Sequence, residues 1–382
     1  MPNLSKVFDW GRQAYGNMAS LEAQGRIVPP LRFFLEPTYR CNCRCPFCYV
    51  GEHRAEGELS TAQWLGVMEQ IPRWAFVSFE GGEVTLRSDF FELLAAARRR
   101  VLGKVNVLTN GTVLNPVQLG RLVDEAPLVL SVSLDGLEAT HNRLRGENRF
   151  AKVWDTLERV VFLRRQRLLP LPWLDVKMVL LPDNIGEVAP LFEACAKLGV
   201  DFFSLSLRND TNLKQNARLR SDLSSEFTAG HFPRVAYELE AVHTMMRQLH
   251  ELRERYRTSL RWAPKFVGYP PRSESAAAHC RKSSQDTWFG SASHREWLQL
   301  ESFLSSPQPA SGLYRPCTFP FSSLFINPQG DVYPCLSVRW GNVKELALRE
   351  IWNGEKACTF RRALRKNGVF PACQMCCEAV PW

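Results

Sequence analysis

Between Leu31 and Arg208 the sequence predicts an α/β fold, a partial (βα)6 barrel, with a connector and a small C-terminal domain after it. Three observations predict this. Six short β-rich runs alternate with helical stretches, the pattern of successive βα units around a parallel sheet. Two of those runs alternate apolar and polar residues with a period of two. The cysteines gather in two places, a loop at 41–48 and the segment 313–382.

Residues 1–30 read as an N-terminal extension, a short helix and a linker ending at Pro29-Pro30. The predicted strands are Leu31–Leu35, Phe76–Glu80, Lys104–Thr109, Leu128–Leu134, Leu174–Leu181 and Asp201–Leu207, six units of a TIM-type barrel spanning 31–208. Between them, Ser60 with Gln63 forms a capping box, and Phe90, Leu93, Leu94 and Ala97 share one helical stripe. Gly199 is placed to end the helix Glu187–Leu198. In the sixth strand Phe203, Leu205 and Leu207 oppose Ser204, Ser206 and Arg208; in the fourth, Leu130, Val132 and Leu134 oppose Ser131, Ser133 and Asp135. A closed barrel fills its interior with bulky apolar side chains, so polar inward faces predict an open barrel that holds a ligand. Extending the phase puts Arg32, Glu36, Ser78, Glu80, Asn106, Asn110 and Lys177 inside as well. Residues 209–312 break the alternation. There Val235–Tyr256 reads as a helix, and an irregular stretch carries Trp262, Trp288, Phe289 and Trp297, a connector or a lid over the pocket. Cys195 and Cys280 read as packed.

The chain of 382 residues has 45% hydrophobic residues, enough for a large core, and no apolar run long enough to cross a bilayer. Its start, with Lys6, Asp9 and Arg12, lacks the apolar stretch of a signal peptide, so a cytoplasmic protein is expected. Twelve cysteines without an export signal argue for metal ligation over disulfides. The formal charge of +9 is spread along the chain, which predicts a solvated surface and no nucleic-acid or membrane partner.

Cys41, Cys45 and Cys48 stand at C-x3-C-x2-C spacing just after the first strand. Three thiolates on one short loop suit a cluster with one iron left for another ligand, whereas a structural zinc takes four; a zinc knuckle with Cys43 as fourth ligand is the alternative. Cys43 reads as packed. The spacing, with Asn42 and Tyr49, resembles the signature loop of the radical S-adenosylmethionine (radical SAM) superfamily. Glu80-Gly81-Gly82-Glu83, with Val84 where proline is usual, resembles its Gly-Gly-Glu-Pro segment; Thr109-Asn110-Gly111, Ser133-Leu134-Asp135-Gly136 and Arg145-Gly146 resemble further segments of it. The resemblance implies a 4Fe-4S cluster on Cys41, Cys45 and Cys48. It also implies SAM contacts at Tyr49, Gly81, Gly82, Glu83, Asn110, Ser133, Asp135 and Arg145, although Asn-Gly and Asp-Gly are also ordinary turn pairs.

In the C-terminal segment Cys317, Gly330 to Cys335, Gly341-Asn342, Ile351-Trp352 and Cys373-x2-Cys376 resemble the SPASM/twitch iron-sulfur extension of many radical SAM enzymes. The match implies one auxiliary 4Fe-4S cluster on Cys317, Cys335, Cys373 and Cys376. Cys377 could replace Cys376, Cys358 is a further substitute, and a structural zinc would use the same four ligands. The family resemblance implies reductive cleavage of SAM to a 5'-deoxyadenosyl radical, hydrogen abstraction from a C-H, and an electron donor such as flavodoxin or ferredoxin. The expected substrate is a small anionic metabolite, because the predicted interior offers Arg32, Lys177 and Arg208. A peptide-modifying maturase is the rival enzyme, and a non-catalytic metal-bound scaffold the rival of another class.

Overall fold

The structure is a computed structural model; it describes residues 27–50, 56–125, 127–208, 235–263, 300, 303–304, 314–335, 338–373, 376, 378 and 380. In chain order the elements of the barrel are β1 (Arg32–Leu35), α1 (Thr61–Glu69), β2 (Phe76–Phe79), α2 (Phe90–Arg100), β3 (Val105–Thr109), α3 (Pro116–Glu125), β4 (Val129–Ser133), α4 (Glu138–Arg145), α5 (Arg149–Gln166), β5 (Trp173–Leu180), α6 (Val188–Leu198) and β6 (Phe202–Leu207). These are the six predicted strands, each within one or two residues of its expected limits. The local signals act as their chemistry demands. Ser60 and Gln63 exchange the two bonds of a capping box, and Gly199 takes φ +105° to end α6.

The sheet continues beyond the six units. After α7 (Leu239–Arg255), β7 (Ser259–Ala263) pairs in parallel with β6, so the stretch expected as a connector contributes a seventh strand. At the other edge β8 (Ser323–Ile326) lies parallel to β1, with Arg32 opposite Ser323 and Leu35 opposite Ile326. The antiparallel strands β9 (Asp331–Tyr333) and β10 (Gly341–Asn342) follow, giving the order β10-β9-β8-β1-β2-β3-β4-β5-β6-β7. The C-terminal segment therefore extends the barrel sheet. It ends with α8 (Leu348–Trp352) and α9 (Glu355–Asn367).

The core lies between the sheet and its helices. Phe33, Leu35, Val77, Phe79, Leu130, Val132, Phe203 and Leu205 are buried there, as the period-two reading requires. The opposite face forms two walls. On one, Phe34 stacks on Phe325 at 4.5 Å and Phe325 on Tyr333 at 5.2 Å. On the other, Asp175 of β5 accepts from Ser131 at 2.9 Å and Ser204 at 2.6 Å, which satisfies a carboxylate that is 2% exposed. The inner face is thus polar along β4 to β6 and aromatic along β1, β8 and β9.

Residues 1–26, the aromatics Trp288, Phe289 and Trp297, and Cys280 and Cys377 lie outside the described residues.

Candidate active site

The cysteine loop leaves the C-terminal end of β1, where a parallel barrel collects its chemistry. It is fixed by side chains around Asn42. Asn42 Nδ2 donates to Thr112 Oγ1 at 2.9 Å, Asn110 Nδ2 donates to Asn42 Oδ1 at 2.7 Å, and Arg149 Nη2 donates to the Asn42 carbonyl at 3.0 Å. The Cys48 amide closes a turn on the Cys45 carbonyl at 3.1 Å. Cys41, Cys45 and Cys48 are half-buried and in no disulfide, and Cys43 is 2% exposed. A hydrogen bond from the Cys43 thiol holds Cys41 down at about 6 and Cys45 at about 7; the Arg145 guanidinium also favours both thiolates. The soft donor set, its thiolate character and the adjacent cation fit an iron-sulfur cluster. Among the described residues no three His, Cys, Asp or Glu side chains converge as ligands of a single metal ion.

The two glycines of the β2 loop are required by close approach. A Cβ on Gly82 would sit 2.4 Å from the Arg40 carbonyl oxygen, and one on Gly81, at φ +118°, would sit 2.8 Å from that of Thr38. Their backbone is sewn to the cysteine loop by Gly82 N–H to Thr38 O at 2.9 Å and Glu83 N–H to Arg40 O at 2.8 Å. Glu83 itself is 0% exposed and accepts from Thr85 Oγ1, from Thr109 Oγ1 at 2.7 Å and from the Asn110 amide at 2.6 Å. Burial raises its pKa, and these donors oppose the rise. Its carboxylate thus knits the β2 and β3 loops, and Asn110 is committed in turn to Asn42 and to the sulfur of Cys41 at 3.9 Å.

Asp135, 0% exposed, accepts from Arg145 Nε and from the Val179 amide at 2.8 Å; its own amide donates to His141 Nδ1 at 3.1 Å. The pair aims Arg145 at the cysteine loop, 5.8 Å above the Phe47 ring. Asp135 therefore orients Arg145. Ser133, half-buried at the end of β4, lies opposite Lys177 in the register.

Sequence reasoning put Glu36 inside the barrel without seeing its partners. Its buried carboxylate accepts from Tyr39 at 2.9 Å, Tyr49 at 3.0 Å and Tyr333, and burial raises its pKa to about 7 against those bonds. Tyr49, expected to touch SAM, thus directs its hydroxyl to Glu36. A glutamate closing an apolar strand just before proline was the available signal.

The second cysteine group lies at the opposite end of β1. Cys317 precedes β8, its amide bonded to the Gly368 carbonyl at 2.9 Å, and Cys335 follows β9, which runs back toward that end. Cys373 and Cys376 share a turn, with the Cys376 amide on the Cys373 carbonyl at 3.1 Å. Burial pushes Cys317 up to about 12 and raises Cys373; Cys317, Cys373 and Cys376 lie near enough to affect one another's charge. All four sulfurs pack against the core.

Of the interior cations, Arg32 is engaged: its Nη2 pairs with Glu378 at 3.1 Å and its Nε donates to Ser323 Oγ at 2.9 Å. Lys177 lies near Glu80, whose pKa burial raises to about 8. Arg261 of β7, missed from the sequence, stacks on Phe202 at 3.3 Å.

The radical SAM superfamily model matches residues 35–161, and the iron-sulfur cluster-binding SPASM domain matches residues 317–377. The chain carries a radical SAM domain followed by a C-terminal SPASM domain. The first implies a 4Fe-4S cluster and SAM, the second auxiliary iron-sulfur binding. Among curated proteins it is 29% identical over 178 residues to the sporulation killing factor maturation protein SkfB of Bacillus subtilis, covering 46% of this chain and 42% of that one. It is 34% identical over 128 residues to the PqqA peptide cyclase of Rhodopseudomonas palustris, covering 31% and 34%. The matches thus span less than half the length of these relatives. Its fold is that of Streptococcus suis SuiB, solved bound to the precursor peptide SuiA, with a TM-score of 0.61, 16% identity, and 92% and 71% of the two chains covered. Among the described residues no helix is long and apolar enough to cross a membrane.

Proposed function

We propose that this chain is a radical SAM enzyme that modifies a peptide. The observation that carries the peptide reading is the likeness to a maturation protein and a peptide cyclase. The pairing of Arg32 with Glu378 at 3.1 Å supports it against the anionic metabolite expected from the sequence. Cys41, Cys45 and Cys48 would hold the SAM-binding cluster, and Cys317, Cys335, Cys373 and Cys376 one auxiliary cluster. When bound, the first cluster with SAM supplies a 5'-deoxyadenosyl radical able to abstract hydrogen from an unactivated C-H.

The protein's own contribution is orientation. Gly81 and Gly82 bring bare backbone against the cysteine loop, where peptide groups can meet the polar end of SAM. Arg145, held by Asp135, sets a fixed positive charge beside the thiolates. Asn110, Arg149 and Thr112 hold the loop through Asn42, and Ser133 faces the interior above them. A cytoplasmic setting keeps the thiols reduced, and a flavodoxin or ferredoxin would supply electrons.

The test is anaerobic reconstitution of the full chain with iron, sulfide, SAM and a reductant, with and without short peptides encoded beside its gene. Iron at about eight per chain, 5'-deoxyadenosine, and a mass change in such a peptide are expected. Zinc in place of iron and no deoxyadenosine would sink the radical reading. Deoxyadenosine whose yield rises with a small anionic metabolite and with none of the peptides would sink the peptide reading alone.

A further inference from the structure

Three tyrosines, each close in sequence to a cysteine assigned to iron, place their hydroxyls on one carboxylate. Tyr39 stands two residues before Cys41, Tyr49 follows Cys48, and Tyr333 stands two residues before Cys335. Tyr39 donates to Glu36 Oε2 at 2.9 Å, Tyr49 to Oε1 at 3.0 Å, and Tyr333 to Oε2. Glu36 is 0% exposed, and its amide donates to the Ile326 carbonyl of β8 at 2.9 Å. Tyr39 and Tyr49 bracket the whole N-terminal cysteine loop, and Tyr333 belongs to the strand that carries Cys335. A carboxylate offers about four acceptor sites, and three are filled by phenols from these two places. Packing alone would be served by an apolar residue, and burying a carboxyl costs free energy unless its hydrogen bonds are made. The three bonds give this glutamate a task that a phenylalanine or leucine at position 36 could not perform.

We propose that Glu36 is a positioning residue that ties the two cysteine sites into one unit, so that loading of the auxiliary site sets how firmly the N-terminal loop holds its cluster. This rests on the cluster assignments of the proposed function. Ordering Cys335 on a cluster fixes the strand that carries Tyr333; Tyr333 fixes the Glu36 carboxylate, which fixes both ends of the loop. Coupling between two binding sites is reciprocal, so an empty N-terminal site loosens the auxiliary one as well.

The experiment measures the rate at which a chelator removes iron from the N-terminal site of the reconstituted full chain. That site is distinguished by the change in its electron paramagnetic resonance signal on adding SAM. Four forms are compared: the native chain, Cys317→Ala/Cys335→Ala, Tyr333→Phe, and all three substitutions together. In the native background, emptying the auxiliary site should speed iron loss about tenfold, the worth of one hydrogen bond to a charged group. In the Tyr333→Phe background the same change should give a factor under about two, the non-additivity expected of coupled groups. Tyr49→Phe cuts one of the two bonds by which Glu36 holds the loop, so in that background emptying the auxiliary site should speed iron loss by a factor between those two. Equal factors in the native and Tyr333→Phe backgrounds, with SAM cleavage retained, would overturn the coupling and leave the proposed function standing. An N-terminal site that takes up no iron in the native chain would overturn both.

Discussion

Replacing Arg145 by methionine tests whether Asp135 serves Arg145 or the cofactor. Asp135 is 0% exposed and Arg145 11% exposed at the side chain, so their ion pair is sheltered from water. The substitution keeps much of the side-chain volume and removes the charge. Asp135 is then left with one donor, the Val179 amide at 2.8 Å. Removing one member of a buried pair costs about 3 to 5 kcal/mol, because the surviving charge is uncompensated. Adding Asp135→Asn removes that charge while its amide oxygen can still accept from Val179. The double variant should therefore be more stable than Arg145→Met alone by about 2 kcal/mol, within the range of coupling energies for contacting residues. Urea unfolding of the apo chain, followed by circular dichroism, gives both numbers, and SAM affinity of the reconstituted forms supplies the second axis. A loss under about 1 kcal/mol for Arg145→Met, the level of an exposed ion pair, would refute the orienting role. So would Asp135→Asn weakening SAM binding with no change in stability, since that would make the carboxylate a direct contact.

Gly82→Ala places a methyl 2.4 Å from the Arg40 carbonyl oxygen and 2.7 Å from the Tyr39 carbonyl carbon. Both neighbours are backbone, so the approach to the cysteine loop must move; a stability loss of about 1 to 3 kcal/mol and reduced iron uptake at the N-terminal site are expected in unfolding and metal analysis. Glu36, whose pKa rises from 4.5 to about 7 through burial, stabilises the fold fully below pH 4.5, and that contribution is lost as the pH climbs through 7. Between pH 4.5 and 8 the unfolding free energy of the apo chain should fall by on the order of 3 kcal/mol more than in Glu36→Gln, read from urea titrations at each pH. Arg361, 0% exposed, lies 3.9 Å over Trp352 and donates to the carbonyls of Trp352 at 2.7 Å and Pro320 at 3.0 Å. Arg361→Met strips both carbonyls of a donor and should cost about 2 to 4 kcal/mol, with auxiliary iron lost first in metal analysis. Cys317→Ala/Cys335→Ala should cut total iron by about half, leaving a cluster that still responds to SAM; loss of all iron would contradict two separate sites.

The six barrel strands were legible because each is a short β-rich run bounded by turn residues or a helical stripe, and two of them alternate with a period of two. What escaped the sequence depends on long-range pairing. β8 carries Ser-Leu-Phe-Ile, and only its partner reveals that it runs parallel to β1. β7 is five residues long, and its alternation of Leu260 and Trp262 with Ser259 and Arg261 is too brief to mark a strand before its pairing with β6 is seen. The cysteine loop and the Gly-Gly-Glu segment, picked out by spacing, lie against each other in the structure, yet their polar side chains were legible only as types. Glu83 takes donors from Thr109 and Asn110, Asn110 bonds Asn42, and Asp135 takes the Val179 amide, all from other βα units, while Tyr333 reaches Glu36 from 297 residues beyond it. Arg32 shows the same limit: a charge in a predicted interior reads as a ligand site until the Glu378 carboxylate at 3.1 Å is seen beside it.

The register between β1 and β8 has a consequence for where a substrate can lie. Cys41 follows β1 by six residues and Cys317 precedes β8 by six, while the two strands run parallel with Arg32 beside Ser323. The two cysteine groups therefore lie beyond opposite ends of the same pair of strands, whose four paired residues span roughly 13 Å. Sliding one group relative to the other would break four register pairs and turn inward side chains outward with each single step. The space between them is bounded by the rings of Phe34, Phe325 and Tyr333 on one side and by Ser131, Asp175 and Ser204 on the other. Along this pair of strands β1, β8 and β9 present an apolar wall and β4 to β6 a hydrogen-bonding one. Under the proposed function an extended segment offering one residue at a time would meet both walls, and the pairing of Arg32 with Glu378 leaves that cation already neutralised.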